Sequence, residues 1–535
     1  MTKSWRDVNA IYQIYPRSFK DTNGDGVGDL RGIIEKIDYL KGEDKSLGVD
    51  AVWLSPIFSS PQIDCGYDIS DYRSIDPLFG GMAMFDELLL QAHHKRDLKV
   101  MLDLVPNHSS DQHTWFKESS SSRDNSKRDY YIWRDAKSDG TPPNNWLSMS
   151  GGSAWQWHDK TGQYYLHSFL PSQPDLNWDN PEVRQEIFEI MRFWFEKGVD
   201  GFRVDAIWPL SKNFAAGDNP RNPEYYAGDE DYGSYIHQNS KGGPKLCEYL
   251  RMMSDVALEY KNKFLVYEFY PDDRFGSRFD QYSAIQKVAP GVSSTFYFEA
   301  FQTEWWARKF QEKFNAFGTW YDQLPVASLG NHDQTRIASK FGMAQAKALA
   351  LMQLSLPGIP AIYYGDELGM LDVDIPQNYK HDNFAGGAGM DARDKYRTPM
   401  RWNSDILNNA GFSNSNPWLP IGDNLDWLNV ESEQNTDHSF FNLYKKMLTL
   451  RSEYVALRYG EYSTWQDISD DIMTFKRNYN DEIFYILINF TDRQINTNIP
   501  SRGRVVASTN TTDEYDIENS LMLNAFEAIL VKAYQ

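Results

Sequence analysis

Arg203 and Asp205 interrupt the apolar run GVDGFRVDAIW at 198–208. In a strand, residues two apart share a face, so this pair points one way while Phe202, Val204 and Ala206 point the other. Other apolar runs end in the same manner: Asp103, Asn107 and His108 in KVMLDLVPNH, Glu268 in FLVYEFY, His332 and Asp333 in PVASLGNHD. For any one of these residues, capping or solvation is a sufficient reason. The recurrence from run to run points instead to a set of side chains gathered at one place. Carboxyl groups gathered this way can cleave a glycosidic bond, one attacking or stabilising the anomeric carbon while another protonates the departing oxygen. The two must then differ in protonation. Arg203, on the face of Asp205, is expected to favour the ionised carboxylate and suit it to nucleophilic attack. Glu268 lies among apolar and aromatic neighbours, which favour the neutral acid.

Such a set needs a scaffold that brings strand ends together. Short apolar runs alternate with amphipathic helical segments over most of the chain, the pattern of a parallel sheet. The strand candidates are AIYQIYP, VDAVWLSP, KVMLDLVPN, VDGFRVDA, FLVYEFY, STFYFE, PVASLGNHD and GIPAIYYGDE, eight in all. Eight is the number that closes a (β/α)8 TIM barrel, whose active sites form at the carboxyl ends of the strands. The helix beginning near 180 shows the quality of the intervening signals: Asn180 to cap it, Pro181 in its first turn, Val183, Ile187, Met191 and Trp194 at helical spacing, and Gly198 to end it. About seventy residues rich in Ser, Asp, Gly and Trp separate the third and fourth strands, far more than an ordinary connection, and imply an inserted subdomain. After 458 the texture changes to short alternating runs with Asn and Asp turns, as in IFYILINF, which predicts a small antiparallel β domain. The expected organisation is an α/β barrel over 1–108 and 179–458, an inserted subdomain over 109–178, and a C-terminal β-sandwich over 459–535.

In that order, DLVPNH, GFRVDA, the strand-end Glu of LVYEFY, and GNHD resemble the four signature segments of the α-amylase family of glycoside hydrolases. QPDLN at 173–177 resembles the further segment typical of the oligo-1,6-glucosidase and α-glucosidase branch, and the likeness runs from IYQIYPRSF to RTPMRW. The resemblance implies Asp205 as nucleophile, Glu268 as acid and base, and Asp333 as the third carboxylate, which helps hold and distort the sugar ring. Arg203 matches the residue that orients the nucleophile, and His108 and His332 match histidines bonded to glucose hydroxyls. In DCGYD, Asp64 and Tyr67 match the pair that binds and stacks under a terminal glucose. Phe169 matches an aromatic wall, and Arg393 in ARDKYR the arginine that pairs near Asp64. Two residues depart from the family pattern: Tyr267 stands where a small residue is usual before the acid, and Thr335 where Pro is common. Both are expected to reshape the site beyond the first glucose. Ala206 follows the nucleophile; in this branch Val there accompanies α-1,6 cleavage and smaller or polar residues α-1,4, so the resemblance implies maltose over isomaltose.

DTNGDGVGDL at 21–30 offers oxygens from Asp21, Asn23, Asp25 and Asp29 and the backbone carbonyl of Val27. Oxygen ligands suit Ca²⁺ first and Mg²⁺ second. An EF-hand would need a bidentate Glu at its twelfth position, where Gly32 stands. From spacing alone a solvated Asx-turn is as good a reading; the likeness to the family's metal loop after the first strand favours a structural ion.

Composition narrows the partners. The net charge of -21 is spread through periodic segments, which disfavours nucleic acid and acidic membranes, and 41% hydrophobic residues argue for a globular chain. MTKSWRDVNAIYQIYP lacks the apolar run of a signal peptide and no segment is apolar enough to span a membrane, so a cytoplasmic home is expected. Cys65 and Cys247 provide neither a disulfide framework nor metal-ligand spacing. The many aromatic rings suit a sugar cleft and a core equally. The leading expectation is a retaining α-glucosidase acting on short α-glucosides, as a monomer or in an assembly the sequence does not specify. Transglucosylation or sucrose isomerisation is the neighbouring reading, with ARDKYR only partly like the Arg-rich loop of sucrose isomerases. A non-catalytic, transporter-associated relative is the remaining one, opposed by the retention of all three carboxylates.

Overall fold

The computed structural model describes residues 3–226, 228, 231–384 and 392–534. Eight parallel strands close into a barrel in sequence order: β1 (Ile11–Ile14), β2 (Ala51–Leu54), β3 (Lys99–Leu104), β4 (Gly201–Val204), β5 (Phe264–Tyr267), β6 (Ser293–Tyr297), β7 (Val326–Ser328) and β8 (Ile359–Tyr363), with β8 pairing back to β1. Each coincides with one of the eight apolar runs. Both faces of a barrel strand are covered, by the interior and by the helices, so these runs are continuously apolar rather than alternating.

Register decides what the interior receives. Gln13 pairs with Trp53 and Trp53 with Met101, while Asp103 pairs with Arg203 and Arg203 with Val266. Paired residues of a sheet share a face, and so do residues two apart along a strand. Gln13, Trp53, Asp103, Arg203, Asp205 and Glu268 therefore all face inward, climbing toward the carboxyl ends. Tyr267 faces outward: its hydroxyl donates to the Leu250 carbonyl at 2.8 Å and lies 2.8 Å from the Ser254 hydroxyl, both on the helix Leu246–Leu258. The expectation that Tyr267 shapes the sugar site is thus corrected; strand alternation sends it into the helix layer.

The helix Pro181–Lys197 forms as its signals require. The Asn180 side chain accepts the Glu182 N–H, Val183, Ile187, Ile190, Met191 and Trp194 are buried, and Gly198 ends it at φ +115°, which only glycine adopts without strain. Between β3 and β4 the chain makes a three-stranded antiparallel sheet, Trp133–Arg134, Gln163–Leu166 and Trp155–His158, over its own core of Ile132, Trp146, Ala154, Trp155 and Leu166. Beyond the barrel, a six-stranded antiparallel sheet includes Ile472–Tyr479, Glu482–Asn489 and Ala528–Ala533. It faces the two-stranded sheet Ile495–Asn498 and Ser520–Leu523 across Leu487, Val505, Leu523, Ile529 and Val531. Among the described residues no helix is long and apolar enough to cross a membrane.

Candidate active site

Arg203, 1% exposed, is the hub at the carboxyl end of the barrel. Its Nη1 donates to Asp103 Oδ1 and to Asp205 Oδ1, both at 2.5 Å, and its Nη2 lies 2.7 Å from Glu268 Oε1. Trp53 Nε1 donates to Asp103 Oδ2 at 2.9 Å, and the Ala206 N–H donates to Glu268 Oε2 at 2.9 Å. That last bond is made by backbone in an unusual state, because Ala206 has φ +41°. The turn just after the nucleophile candidate is thus bent so that its N–H reaches the acid candidate on the next strand.

One guanidinium faces three buried carboxyl groups, and it cannot compensate three negative charges. Burial pushes Asp103 up to about 6 against the pull of Arg203. Burial also raises Asp205 well above the usual carboxylate range, Arg203 opposing while Glu268 and Asp103 add to the rise. Arg203 favours the ionised Asp205, as its place on the same face implies, but its charge is shared three ways and burial outweighs its pull.

Asp333 has the opposite surroundings. Arg397 Nη2 and Arg393 Nη1 donate to its Oδ1 at 2.6 and 3.0 Å. Burial opposes its charge, but His332, Arg393 and Arg397 outweigh burial and hold the carboxyl far below its usual range. His332 accepts from Gln13 Nε2 at Nδ1, 2.9 Å away, and places Nε2 2.6 Å from the Tyr67 hydroxyl. Burial lowers its pKa well below that of free histidine, Asp333 opposing. The Tyr67 ring stacks on it at 5.4 Å and 3°.

Arg393 closes this end. Its Nη2 donates to Asp64 Oδ1 at 2.7 Å and to Asp382 Oδ1 at 2.8 Å while its Nη1 holds Asp333. Gln173 Nε2 donates to the other Asp64 oxygen at 3.0 Å and lies 3.2 Å from His108 Nε2. Phe169 packs 5.0 Å from His108 and 6.1 Å from Phe384. Asp64, Tyr67, His108, Phe169, Asp205, Ala206, Glu268, Asp333 and Arg393 all line one cavity of about 740 Å³, with Arg203 and His332 packed directly behind them. Every catalytic and sugar-binding residue implied by the motifs is therefore brought to one place. Arg397, Gln173 and Asp382 join them without having been singled out. Gln173 and Arg397 were within reach, since one opens QPDLN and the other closes ARDKYR; Asp382 lies in an irregular segment whose position only the fold defines. Thr335 is not among the residues that line this cavity, whereas Gln334 beside it is.

The 21–29 loop is drawn together by its own donors. The Asp21 carboxylate accepts N–H bonds from Asn23, Gly24 and Gly26, and the Ser413 hydroxyl. Asp25 accepts from the Asn23 amide and the Val27 N–H. Asp29 accepts from Thr22 and caps the helix Leu30–Glu35 through the Gly32 N–H at 2.7 Å. The all-oxygen donor set has the chemistry of a Ca²⁺ or Mg²⁺ site. Among the described residues, however, no three His, Cys, Asp or Glu side chains converge in a metal-holding group. The carboxylates are turned to loop N–H groups and to a helix cap.

Residues 13–460 match the alpha amylase catalytic domain. The oligo-1,6-glucosidase of Bacillus cereus is 36% identical over 575 residues, covering 99% of this chain and 100% of that protein. Among solved structures, the alpha-glucosyl transfer enzyme XgtA aligns with a TM-score of 0.89 at 34% identity, over 99% of this chain and 100% of that one. Isomaltulose synthase from Klebsiella sp. LX3 aligns at 0.87 and 36% identity, over 99% of each.

Proposed function

The chain belongs to the α-amylase family of glycoside hydrolases, and from that premise we propose that it is a retaining, exo-acting α-glucosidase that releases glucose from the non-reducing end of short α-glucosides, maltose-type linkages first. The observation that carries this reading is Arg393, whose guanidinium spans Asp64 and Asp333. A charged bridge at that end of the sugar pocket is suited to binding the hydroxyl groups of a terminal unit.

In this scheme Asp205 attacks C1 as Glu268 gives its proton to the departing glycosidic oxygen, so that the C1–O bond breaks and a glucosyl ester forms on Asp205. Glu268 then takes a proton from water, which displaces the ester. Holding Asp205 and Glu268 on the two amino nitrogens of one guanidinium keeps them close, as retention needs, rather than apart with water between. The Ala206 N–H and Arg203 hold Glu268 in place for that transfer. Asp333, fixed as an anion, accepts hydrogen bonds from the sugar and stabilises positive charge developing at its ring.

A second reading keeps the glucosyl ester and replaces water with a sugar: transglucosylation or sucrose isomerisation. The names borne by the two similar structures, an α-glucosyl transfer enzyme and an isomaltulose synthase, favour it. Products resolved over time from maltose, isomaltose, sucrose and trehalose test the first reading against the second, since hydrolysis releases free glucose throughout. For the 21–29 loop we retain a structural Ca²⁺, supported by its oxygen-only donors, and for the chain a cytoplasmic home, supported by two free thiols, Cys65 and Cys247.

A further inference from the structure

Beside the carboxylates and the Asp64–Arg393 bridge, the cavity is walled by the segments that follow β4 and β5, among them Trp208, Tyr232, Lys241, Tyr270, Asp272 and Arg274. Glu268 faces the departing oxygen in the proposed chemistry, so this is where the leaving group lies.

Lys241 is the unusual member. Its side chain is only 13% exposed, and its ammonium sits 4.5 Å from the Trp208 ring centre, 5.7 Å from Tyr232 and 5.8 Å from Phe275. The nearest carboxylate, Asp272, is 3.8 Å away and already committed, since Arg274 donates to both of its oxygens, at 2.7 and 2.6 Å. Among the described residues Lys241 Nζ makes no hydrogen bond. An ammonium carries three N–H donors, which hydroxyl groups of a sugar in the cavity can accept. Burial brings its pKa down to about 8, Asp272 opposing and Arg274 adding to the fall.

The backbone is shaped to hold it there. Gly242 donates to the Trp208 carbonyl and Gly243 to the Ser211 carbonyl, both at 2.9 Å. Gly242 has φ +66°, and a Cβ on it would lie 2.5 Å from Trp208 Nε1; one on Gly243 would lie 2.7 Å from Ser211 Oγ. Only glycines let this segment lie flat on the turn after the nucleophile with Lys241 over the indole ring.

We propose that Lys241 is a specificity-determining residue that donates hydrogen bonds to hydroxyl groups of the leaving sugar. The inference rests on the glucosidase reading and adds its leaving-group chemistry: a neutral polyol. Lys212, Arg274 and Arg278 also line the cavity, but each is paired with a carboxylate, Asp175 at 2.9 Å, Asp272 at 2.6 Å and Glu299 at 2.6 Å, so they form no cluster of free cations for a phosphorylated sugar.

The test compares maltose with p-nitrophenyl α-glucoside, whose leaving group has no hydroxyl for the ammonium to bind. The ratio of kcat/KM for the two substrates is independent of how much of a preparation is folded. In Lys241→Met the maltose to aryl-glucoside ratio falls roughly tenfold, chiefly through KM for maltose, and Lys241→Gln, which keeps N–H donors, recovers part of it. An unchanged ratio in Lys241→Met would overturn the proposal, whether or not both activities fall, because a merely structural lysine lowers the two together. Preference of the wild-type enzyme for maltose 6′-phosphate over maltose would overturn it in favour of an anion site. Cleavage of neither maltose nor the aryl glucoside by the wild type would overturn the functional reading as well.

Discussion

Arg203 Nη1 lies 2.5 Å from Asp205 Oδ1, and the same guanidinium reaches Glu268 at 2.7 Å and Asp103 at 2.5 Å. A single cation therefore ties the nucleophile candidate to the acid candidate and to a third buried carboxyl. The consequences can be measured.

Asp205 must be ionised to attack, and burial raises its pKa. Activity is present above that pKa and lost as pH falls through it, so the acid limb of kcat/KM lies above the ordinary Asp value of about 4. Asp103 contributes to the rise and Arg203 opposes it. Asp103→Asn is expected to move the limb down in pH and Arg203→Leu to move it up; pH–rate profiles of the two variants check both signs.

Ala206 occupies left-handed backbone at φ +41° to place its N–H on Glu268. A β-branched residue fits that region poorly, so Ala206→Val is expected to lose about 1–3 kcal/mol in denaturant unfolding while Ala206→Gly does not. If bulk there selects linkage, the valine variant also shifts preference from maltose toward isomaltose. Initial rates on the two disaccharides separate the strain from the selectivity.

Arg393 joins Asp64 and Asp333, and removing it takes a cation from both carboxylates, leaving Asp333 with Arg397 alone. Arg393→Met is expected to weaken maltose binding by roughly 2–5 kcal/mol, seen as a large rise in KM. Asp333 is held below its unfolded pKa, so its contribution to stability is present above about pH 4 and lost as pH falls through the folded value. Melting temperatures across pH 3–7 are expected to show a smaller acid-dependent loss in the variant than in the wild type.

If the 21–29 loop holds Ca²⁺, chelation lowers the melting temperature, added Ca²⁺ restores it, and Asp25→Asn removes the response. Calorimetry with and without chelator checks this, and an unchanged melting temperature contradicts the ion.

The barrel was legible in the sequence because each strand is a short apolar run closed by a polar residue, and β4 displays the rule: Phe202 and Val204 face the helices while Arg203 and Asp205 face the interior. Glu268 and Asp333 were legible for the same reason. Asp382 and Lys241 were not, because they stand in aperiodic segments that reach the site only through long-range packing. The pull of Arg203 on Asp205 was legible in the strand pattern, but the opposing effects of burial, Glu268 and Asp103 were not, because only the fold shows that all three carboxyls share one guanidinium. Tyr267 was misjudged: its alternation with Glu268 already sends it outward.

The central claim is that Asp205 carries the glucosyl group. In a Glu268→Gln variant treated with α-glucosyl fluoride, whose leaving group needs no acid, the first step proceeds and water attack on the ester is slowed. Mass spectrometry of the digested protein should then find one glucosyl group on the peptide containing Asp205. A glucosyl group on another residue, or β-glucose released with no adduct on any peptide, would contradict the account.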